Sequence, residues 1–309
     1  MTDPKLVLQE IQKAVVGKND VLEMAFTAIL ARGHILLEDI PGVGKTTMAL
    51  AFSRALGLEY HRMQFTPDVL PSDVVGFSVF DKDTGEMIYK PGAILCNLFL
   101  ADELNRATSR TQSALLEAME EANVTVDGIT HEIPDPFIVI ATQNPVGASG
   151  TQLLPDSQLD RFIVRLTLGY PSPDDEKRLL MLKQQGNMLD SVECAAEGSG
   201  INEMRRAVDK VYVHQALFDY SVRLSLATRE HPSLLQGASP RASLAVISMA
   251  KAWAWLKKRD YVIPEDIVGI YPATVTHRLI LTPEAKASGV TAASVVKEVL
   301  KSTAAPRVK

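Results

Sequence analysis

The sequence predicts an α/β domain followed by a helical domain, and three features carry that prediction. Up to about residue 170, short apolar runs alternate with helical patterns, as in a largely parallel sheet covered by helices. A glycine-containing segment, residues 38–47, joins an apolar strand to a helix-forming run. After Tyr170-Pro-Ser-Pro173 the strand signals stop and helical patterns continue to the end. That proline segment sets the expected boundary between residues 1–170 and residues 171–309. With 309 residues, 46% of them apolar and 22% charged, the chain can bury two cores and is neither disordered nor low-complexity.

The expected strands of the first domain are residues 35–37, 60–65, 95–101, 137–142 and 162–168. Between the third and fourth, residues 124–133 alternate around Asp127-Gly128 and read as a β-hairpin, because Gly tolerates the positive φ of a tight turn. Helical patterns start at residue 174 and are punctuated at residues 197–200, at His231-Pro232 and at Ile263-Pro264. Pro264 followed by Glu265 and Asp266 suits a helix first turn, where a missing N–H is harmless and acids face the positive dipole end. Met249, Trp253 and Trp255 fall on a helical apolar pattern that reads as core. Residues 257–260, Lys-Lys-Arg-Asp, read as a solvated helix end.

Charge and cysteines exclude several classes. Thirty-two Lys+Arg against 37 Asp+Glu leave a formal charge of −5, which lacks the broad basic field of a duplex-binding protein. Cys96 and Cys194 make neither a disulfide framework nor a zinc site, and the six histidines show no paired metal-ligand spacing. The first residues show no signal-peptide pattern, and no run of about 18 apolar residues is free of charge. A soluble, cytoplasmic protein with no membrane insertion is the expectation.

Three motifs point to phosphate chemistry. Glu38-Asp-Ile-Pro-Gly-Val-Gly-Lys-Thr-Thr47, between strand and helix, reads as a phosphate-binding loop. Gly42 and Gly44 let backbone N–H groups approach phosphate, Lys45 reaches the β/γ-phosphates, and Thr46 offers a hydroxyl to Mg²⁺. Asp39 stands where the general pattern has Gly, so the first turn of the loop is expected to use a residue that tolerates left-handed φ. Leu98-Phe-Leu-Ala-Asp-Glu103 is an apolar strand ending in two carboxylates, about fifty residues on. In this order it reads as a Walker B strand, with Asp102 in the Mg²⁺ shell and Glu103 orienting or deprotonating the attacking water. Thr142-Gln-Asn-Pro145 ends the next strand, where the Asn144 amide could bridge the γ-phosphate and the water.

On these blocks the chain closely resembles the MoxR family of AAA+ ATPases. The matching segments are Leu37-Glu-Asp-Ile-Pro-Gly-Val-Gly-Lys-Thr46, Leu100-Ala-Asp-Glu-Leu-Asn-Arg-Ala107, Thr111-Gln-Ser-Ala-Leu-Leu-Glu-Ala-Met-Glu-Glu121, Ala141-Thr-Gln-Asn-Pro145, Leu159-Asp-Arg-Phe162 and Gly237-Ala-Ser-Pro-Arg-Ala242. They run from about residue 15 to residue 281 in the family's order. Asp39 is common in MoxR-like sequences, and Leu104 conservatively replaces the more usual Ile. The resemblance implies an AAA+ P-loop core with a parallel sheet and a smaller C-terminal α-helical lid. It implies that Pro41, Gly42, Val43, Gly44, Lys45, Thr46 and Thr47 bind ATP, that Thr46 and Asp102 hold Mg²⁺, and that Val16-Gly17 contacts adenine. Arg161 resembles the arginine finger that reaches a neighbouring subunit's nucleotide, with Arg165 a competing cation. Arg241 resembles the sensor-2 arginine, and Gln64 a polar switch partner of Glu103. Residues 72–92, with the turn Asp83-Thr-Gly-Glu86, resemble the helix-2 insert. The hairpin within residues 122–135 resembles the one before sensor 1; in this clade both elements face the pore or a partner.

The implied function is Mg²⁺-dependent ATP hydrolysis with Lys45, Glu103, Asn144, Arg161 and Arg241 in catalytic roles. It would drive chaperone-like remodelling, maturation or metal-cofactor insertion in a client protein. By resemblance, the implied partners are further copies in a hexameric ring and a von Willebrand factor A domain protein. Three alternatives stand beside it. A magnesium-chelatase-like motor subunit shares the fold. A DNA-translocating motor fits poorly with an acidic, small chain, and nucleic acid is not expected as a partner. A non-hydrolysing nucleotide-sensing scaffold would have no use for the Asp102-Glu103 pair and Asn144.

Overall fold

The computed structural model describes residues 3–144, 154–184, 186–196 and 198–307. Pro145 and Glu197, named in the motifs and punctuation above, lie outside them. Helix α1 (Pro4–Ala14) starts on Asp3, whose carboxylate accepts from the Lys5 N–H, with Pro4 in the first turn. Helix α2 (Asn19–Leu30) follows, then strand β1 (Ile35–Glu38), the glycine loop and helix α3 (Lys45–Ala55). Strand β2 (Tyr60–Gln64) precedes helix α4 (Pro71–Val75) and a hairpin, β3 (Gly76–Phe80) with β4 (Met87–Pro91). Strand β5 (Leu98–Asp102) leads through helix α5 (Ser109–Glu121) to a second hairpin, β6 (Asn123–Val126) with β7 (Ile129–Glu132), and then to strand β8 (Ile138–Gln143).

Further along lie helix α6 (Asp156–Leu159), strand β9 (Val164–Leu166), helix α7 (Pro173–Gln184), helix α8 (Gly198–Asp209) and helix α9 (Gln215–Arg229). Strand β10 (Leu234–Gln236), helices α10 (Pro240–Leu256) and α11 (Pro264–Val275), strand β11 (Ile280–Leu281) and helices α12 (Pro283–Ala287) and α13 (Ala292–Ser302) complete the described chain.

The sheet runs β2-β5-β8-β1-β9, and β2, β5 and β8 pair in parallel. All five expected strands are present. Strands β5 and β8 are buried along their whole length, which is why they read as continuous apolar runs. The register sets Gln64 beside Asp102 and Ala101 beside Ala141, bringing the polar ends of three parallel strands to one edge. Crevices at the carboxyl ends of such strands are where α/β sheets bind ligands. The expected hairpin forms with a two-residue loop, Asp127 at φ 50° and Gly128 at φ 79°.

Two expectations need correction. Residues 72–92 hold a short helix and a five-pair antiparallel hairpin, where the sequence indicated only an insert with a turn. The helical second half also contains strands, since β10 and β11 pair antiparallel. They span three and two residues, too short to show a period of two.

The chain divides into two compact units. The first comprises Met1–Leu22, Leu36–Leu154 and Thr167–Asn202; the second comprises Glu23–Ile35, Pro155–Leu166 and Glu203–Lys309. In the second unit Met249 and Val246 of α10 are buried with Ile267, Ile270 and Tyr271 of α11, while Trp253 is half-buried with the Lys257 ammonium 4.6 Å from its ring centre. Residues 257–260 are more than a solvated end. Arg259 makes a two-pronged ion pair with buried Asp266, which holds the guanidinium above its ordinary pKa. Buried Arg205 donates from two nitrogens to the Ile29 carbonyl near the end of α2, at 3.1 and 2.9 Å.

Candidate nucleotide site

Strand β1 ends where the backbone must turn sharply into α3, and the glycines take the strain. Gly42 lies at φ 85° and Gly44 at φ 96°, both in the left-handed region, while a Cβ at either would meet nothing within 4 Å. Conformation therefore requires glycine here, and crowding does not. Gly44 gives α3 no side-chain cap, so its first N–H groups keep their donor capacity for a ligand. The expectation that Asp39 turns through left-handed φ is wrong, since Asp39 is absent from the positive-φ residues. Its buried carboxylate instead accepts from the N–H groups of Ile40 (2.9 Å) and Gly169 (2.7 Å).

Lys45 is buried, and its Nζ donates to the Asp39 carbonyl (2.7 Å), the Ile40 carbonyl (3.2 Å) and Asn144 Oδ1 (3.2 Å). Burial pulls its pKa below the ordinary lysine value, against the upward pull of Asp39, Asp102 and Glu103. All three acceptors are neutral, so a phosphate entering the loop would offer this ammonium a far stronger partner.

Glu103 sits just past β5 in left-handed backbone, φ 55° and ψ 45°, an uncommon conformation for a non-glycine. Its N–H donates to Thr142 Oγ1 (2.8 Å), its Oε1 accepts from Asn144 Nδ2 (3.0 Å), and its Oε2 pairs with Arg106 (2.8 Å). A continuous polar chain thus runs Lys45–Asn144–Glu103–Arg106. Asp102 is buried and accepts from Thr142 Oγ1 (2.7 Å) and from Arg62, 2.7 Å from Nη2 and 3.2 Å from Nε. Sequence reasoning missed Arg62 and Arg106. Arg62 was findable, because period-two alternation on β2 puts it on the same face as Gln64, beside Asp102. Gln64 itself is exposed and accepts from Arg62.

A cleft of about 440 Å³ opens beside the loop, within the usual size range for small-ligand sites. Pro41, Gly42, Val43, Gly44 and Thr47 line one side, and Val15, Val16 and Lys18 contribute another. Tyr170 and Leu180 also line it, 79% and 65% exposed, so apolar surface there is open to a planar base. Gly17 is not among the lining residues. It lies at φ 72°, where a Cβ would come 2.2 Å from the Asp175 carboxylate, so it shapes the turn that carries Val16. Lys45, Thr46 and Asp102 lie outside the lining. Among the described residues no group of three or more His, Cys, Asp or Glu could hold a metal by itself. The oxygens of Asp102 and Thr46 nevertheless suit Mg²⁺, which is commonly held by one or two carboxylates together with substrate phosphates.

The remaining two arginines belong to the second unit. Arg161 is half-buried between Asp160 and Phe162, and Arg241 is exposed in the first turn of α10. Ser239 caps α10 and also donates to both oxygens of Asp160, at 3.1 and 3.0 Å. Arg278, its side chain almost wholly buried, lies 3.1 Å from Asp160 and donates to the Phe162 carbonyl at 2.8 Å. Buried His277 places Nε2 3.0 Å from the same carbonyl, and burial together with the Arg278 charge drives its pKa down to about 3.

Comparison with known proteins agrees with this geometry. Residues 34–164 match the ATPase family associated with various cellular activities (AAA), and residues 226–299 match the AAA lid domain. The chain is 46% identical to the uncharacterized protein YeaC of Bacillus subtilis over 97% of its own length and 93% of that protein. It is 37% identical to Chaperone MoxR1 of Mycobacterium tuberculosis, over 97% of this chain and 81% of that one. A crystal structure from Cytophaga hutchinsonii, of a protein described as a candidate ATPase, superposes with a TM-score of 0.90 at 35% identity, over 98% of this chain and 94% of that chain. The chain belongs to the MoxR family of AAA+ ATPases, a chaperone-type family.

Proposed function

We propose that the protein is a Mg²⁺-dependent ATPase that works as a ring on a client protein. The single observation behind this reading is the polar chain joining Lys45, through Asn144, to Glu103. When bound, Mg²⁺ supplies charge neutralisation at the phosphates, with Thr46 and Asp102 as its holders. The glycine loop and the start of α3 donate N–H groups to the phosphate chain, and Lys45 exchanges its carbonyl partners for phosphate oxygens. Asn144 then loses one neighbour and can orient water. The Glu103 carboxylate, relieved of Arg106 or of Asn144, accepts the proton of the attacking water. Val16, Tyr170 and Leu180 hold the base.

Arg161 is the proposed finger toward a neighbouring copy's nucleotide and Arg241 the proposed sensor of the phosphate, because a guanidinium stabilises charge on transferring oxygens. A hexamer, a von Willebrand factor A domain partner, a cytoplasmic location and remodelling, maturation or metal-cofactor insertion in the client complete the proposal. The relative called Chaperone MoxR1 supports the client-directed part.

The test combines ATP turnover with sedimentation mass, with and without ATP·Mg²⁺. Glu103→Gln should still bind ATP while turnover falls roughly 10²-fold or more, as for loss of a general base. Arg161→Ala should bind ATP, assemble and fail to hydrolyse. Full turnover in Glu103→Gln refutes its role, and a monomer with wild-type turnover refutes the ring.

A further inference from the structure

Asp39 departs from the phosphate-loop pattern, yet its carboxylate is buried and fully engaged. Oδ1 accepts from the adjacent Ile40 N–H at 2.9 Å, and Oδ2 accepts from the Gly169 N–H at 2.7 Å, 130 residues away in sequence. Its backbone is equally committed, with its N–H on the Gln143 carbonyl (3.2 Å) and its carbonyl on Lys45 Nζ (2.7 Å). Gly169, in left-handed backbone at φ 63°, turns the chain into Tyr170, which lines the cleft. The Tyr170 carbonyl in turn accepts from Lys18 Nζ at 2.8 Å, and Lys18 lines the cleft beside Val16. One side chain therefore ties the phosphate loop to the segment that brings Tyr170 to the cleft.

Electrostatics makes the choice of a carboxylate informative. A negative group beside a triphosphate site repels the ligand, so Asp39 carries a cost that glycine would avoid. Two N–H donors arriving on two separate oxygens explain it. Glycine offers no acceptor, and asparagine offers one oxygen while turning its NH₂ against the second N–H. We infer that Asp39 is a positioning residue that sets the spacing between the phosphate loop and the Tyr170 wall, so that both ends of ATP are gripped together. This rests on the ATP reading above.

Calorimetric binding to the full chain, without turnover, separates the possibilities. The probes are ATP, which spans loop and wall, and inorganic tripolyphosphate, which needs the loop alone. In Asp39→Gly, which restores the general loop pattern, ATP affinity should fall roughly tenfold or more while tripolyphosphate affinity stays within about twofold, because only the linked ligand loses the advantage of two-site binding. Asp39→Asn, keeping one acceptor, should fall between wild type and Asp39→Gly, and it carries the test if the glycine variant does not fold. Equal losses for both probes, or ATP binding unchanged or tighter in both variants, would overturn the inference. A wild type that binds neither probe would instead sink the ATP reading itself.

Discussion

The two units hold comparable polar clusters that behave oppositely. In the first, Lys45, Asn144, Glu103 and Arg106 form a chain in which Arg106 pairs with Glu103 while buried Lys45 rests on neutral oxygens alone. In the second, half-buried Asp160 and Ser239 join buried His277, Arg278 and the Phe162 carbonyl in a cluster whose cation, Arg278, already has a carboxylate. Charged and polar side chains thus build a site in one place and a fastening in the other. What separates them is whether a better partner than the present one can arrive from solution.

Removing each buried cation should expose the contrast most sharply. Arg278→Ala strips the partner from half-buried Asp160 and a donor from the Phe162 carbonyl, and losing hydrogen bonds to a charged group of this kind costs about 1.5–3 kcal/mol. Lys45→Ala removes a buried ammonium that only neutral oxygens hold, so stability should change little or rise, as is common where a site is built at the expense of the fold. ATP binding should be lost in Lys45→Ala. Urea melts of both variants check this, and equal destabilisation would erase the distinction between the clusters.

A pH series sharpens it further. His277 titrates near 3 when folded against an ordinary 6.5, so the unfolded chain binds more protons between these values. The sign follows. Stability from His277 is fully present above about 6.5 and declines as pH falls toward 3, with a slope of roughly 1 kcal/mol per pH unit. His277→Gln should flatten that part of the profile in denaturant melts. An unchanged slope would mean the imidazole can charge in place.

Much of this was legible in the sequence, because backbone chemistry leaves local marks. The strands β5 and β8 read as apolar runs because both their faces are buried. Asp127-Gly128 announced its hairpin, and Gly42 and Gly44 announced the loop. Side-chain partners across long separations left no such mark. Arg62 meets Asp102 across 40 residues, Asp39 meets Gly169 across 130, and Arg278 meets Phe162 across 116. The hairpin β3–β4 stayed hidden for another reason. Its residues Phe77, Val79, Phe80 and Met87 are exposed, so no alternation of buried and exposed positions guided the reading.

The smallest expected effect separates fastening from ordinary capping. Ser239 and Thr291 both cap helices of the second unit, accepting from Ala242 and Ser294 respectively. Loss of a cap hydroxyl costs about 1 kcal/mol, and exposed Thr291→Ala should show that amount. Ser239 also donates to Asp160, so Ser239→Ala should cost more, by about the net worth of a hydrogen bond to a charged group, roughly 1.5 kcal/mol. Thr291 is exposed and shares a reciprocal capping box with Ser294, whereas Ser239 is half-buried, so the excess cost at Ser239 over Thr291 reports the Asp160 tie together with that difference in setting. If the two substitutions cost the same, Asp160 rests on Arg278 alone, and the α10 turn that carries Arg241 is not anchored to the segment that carries Arg161.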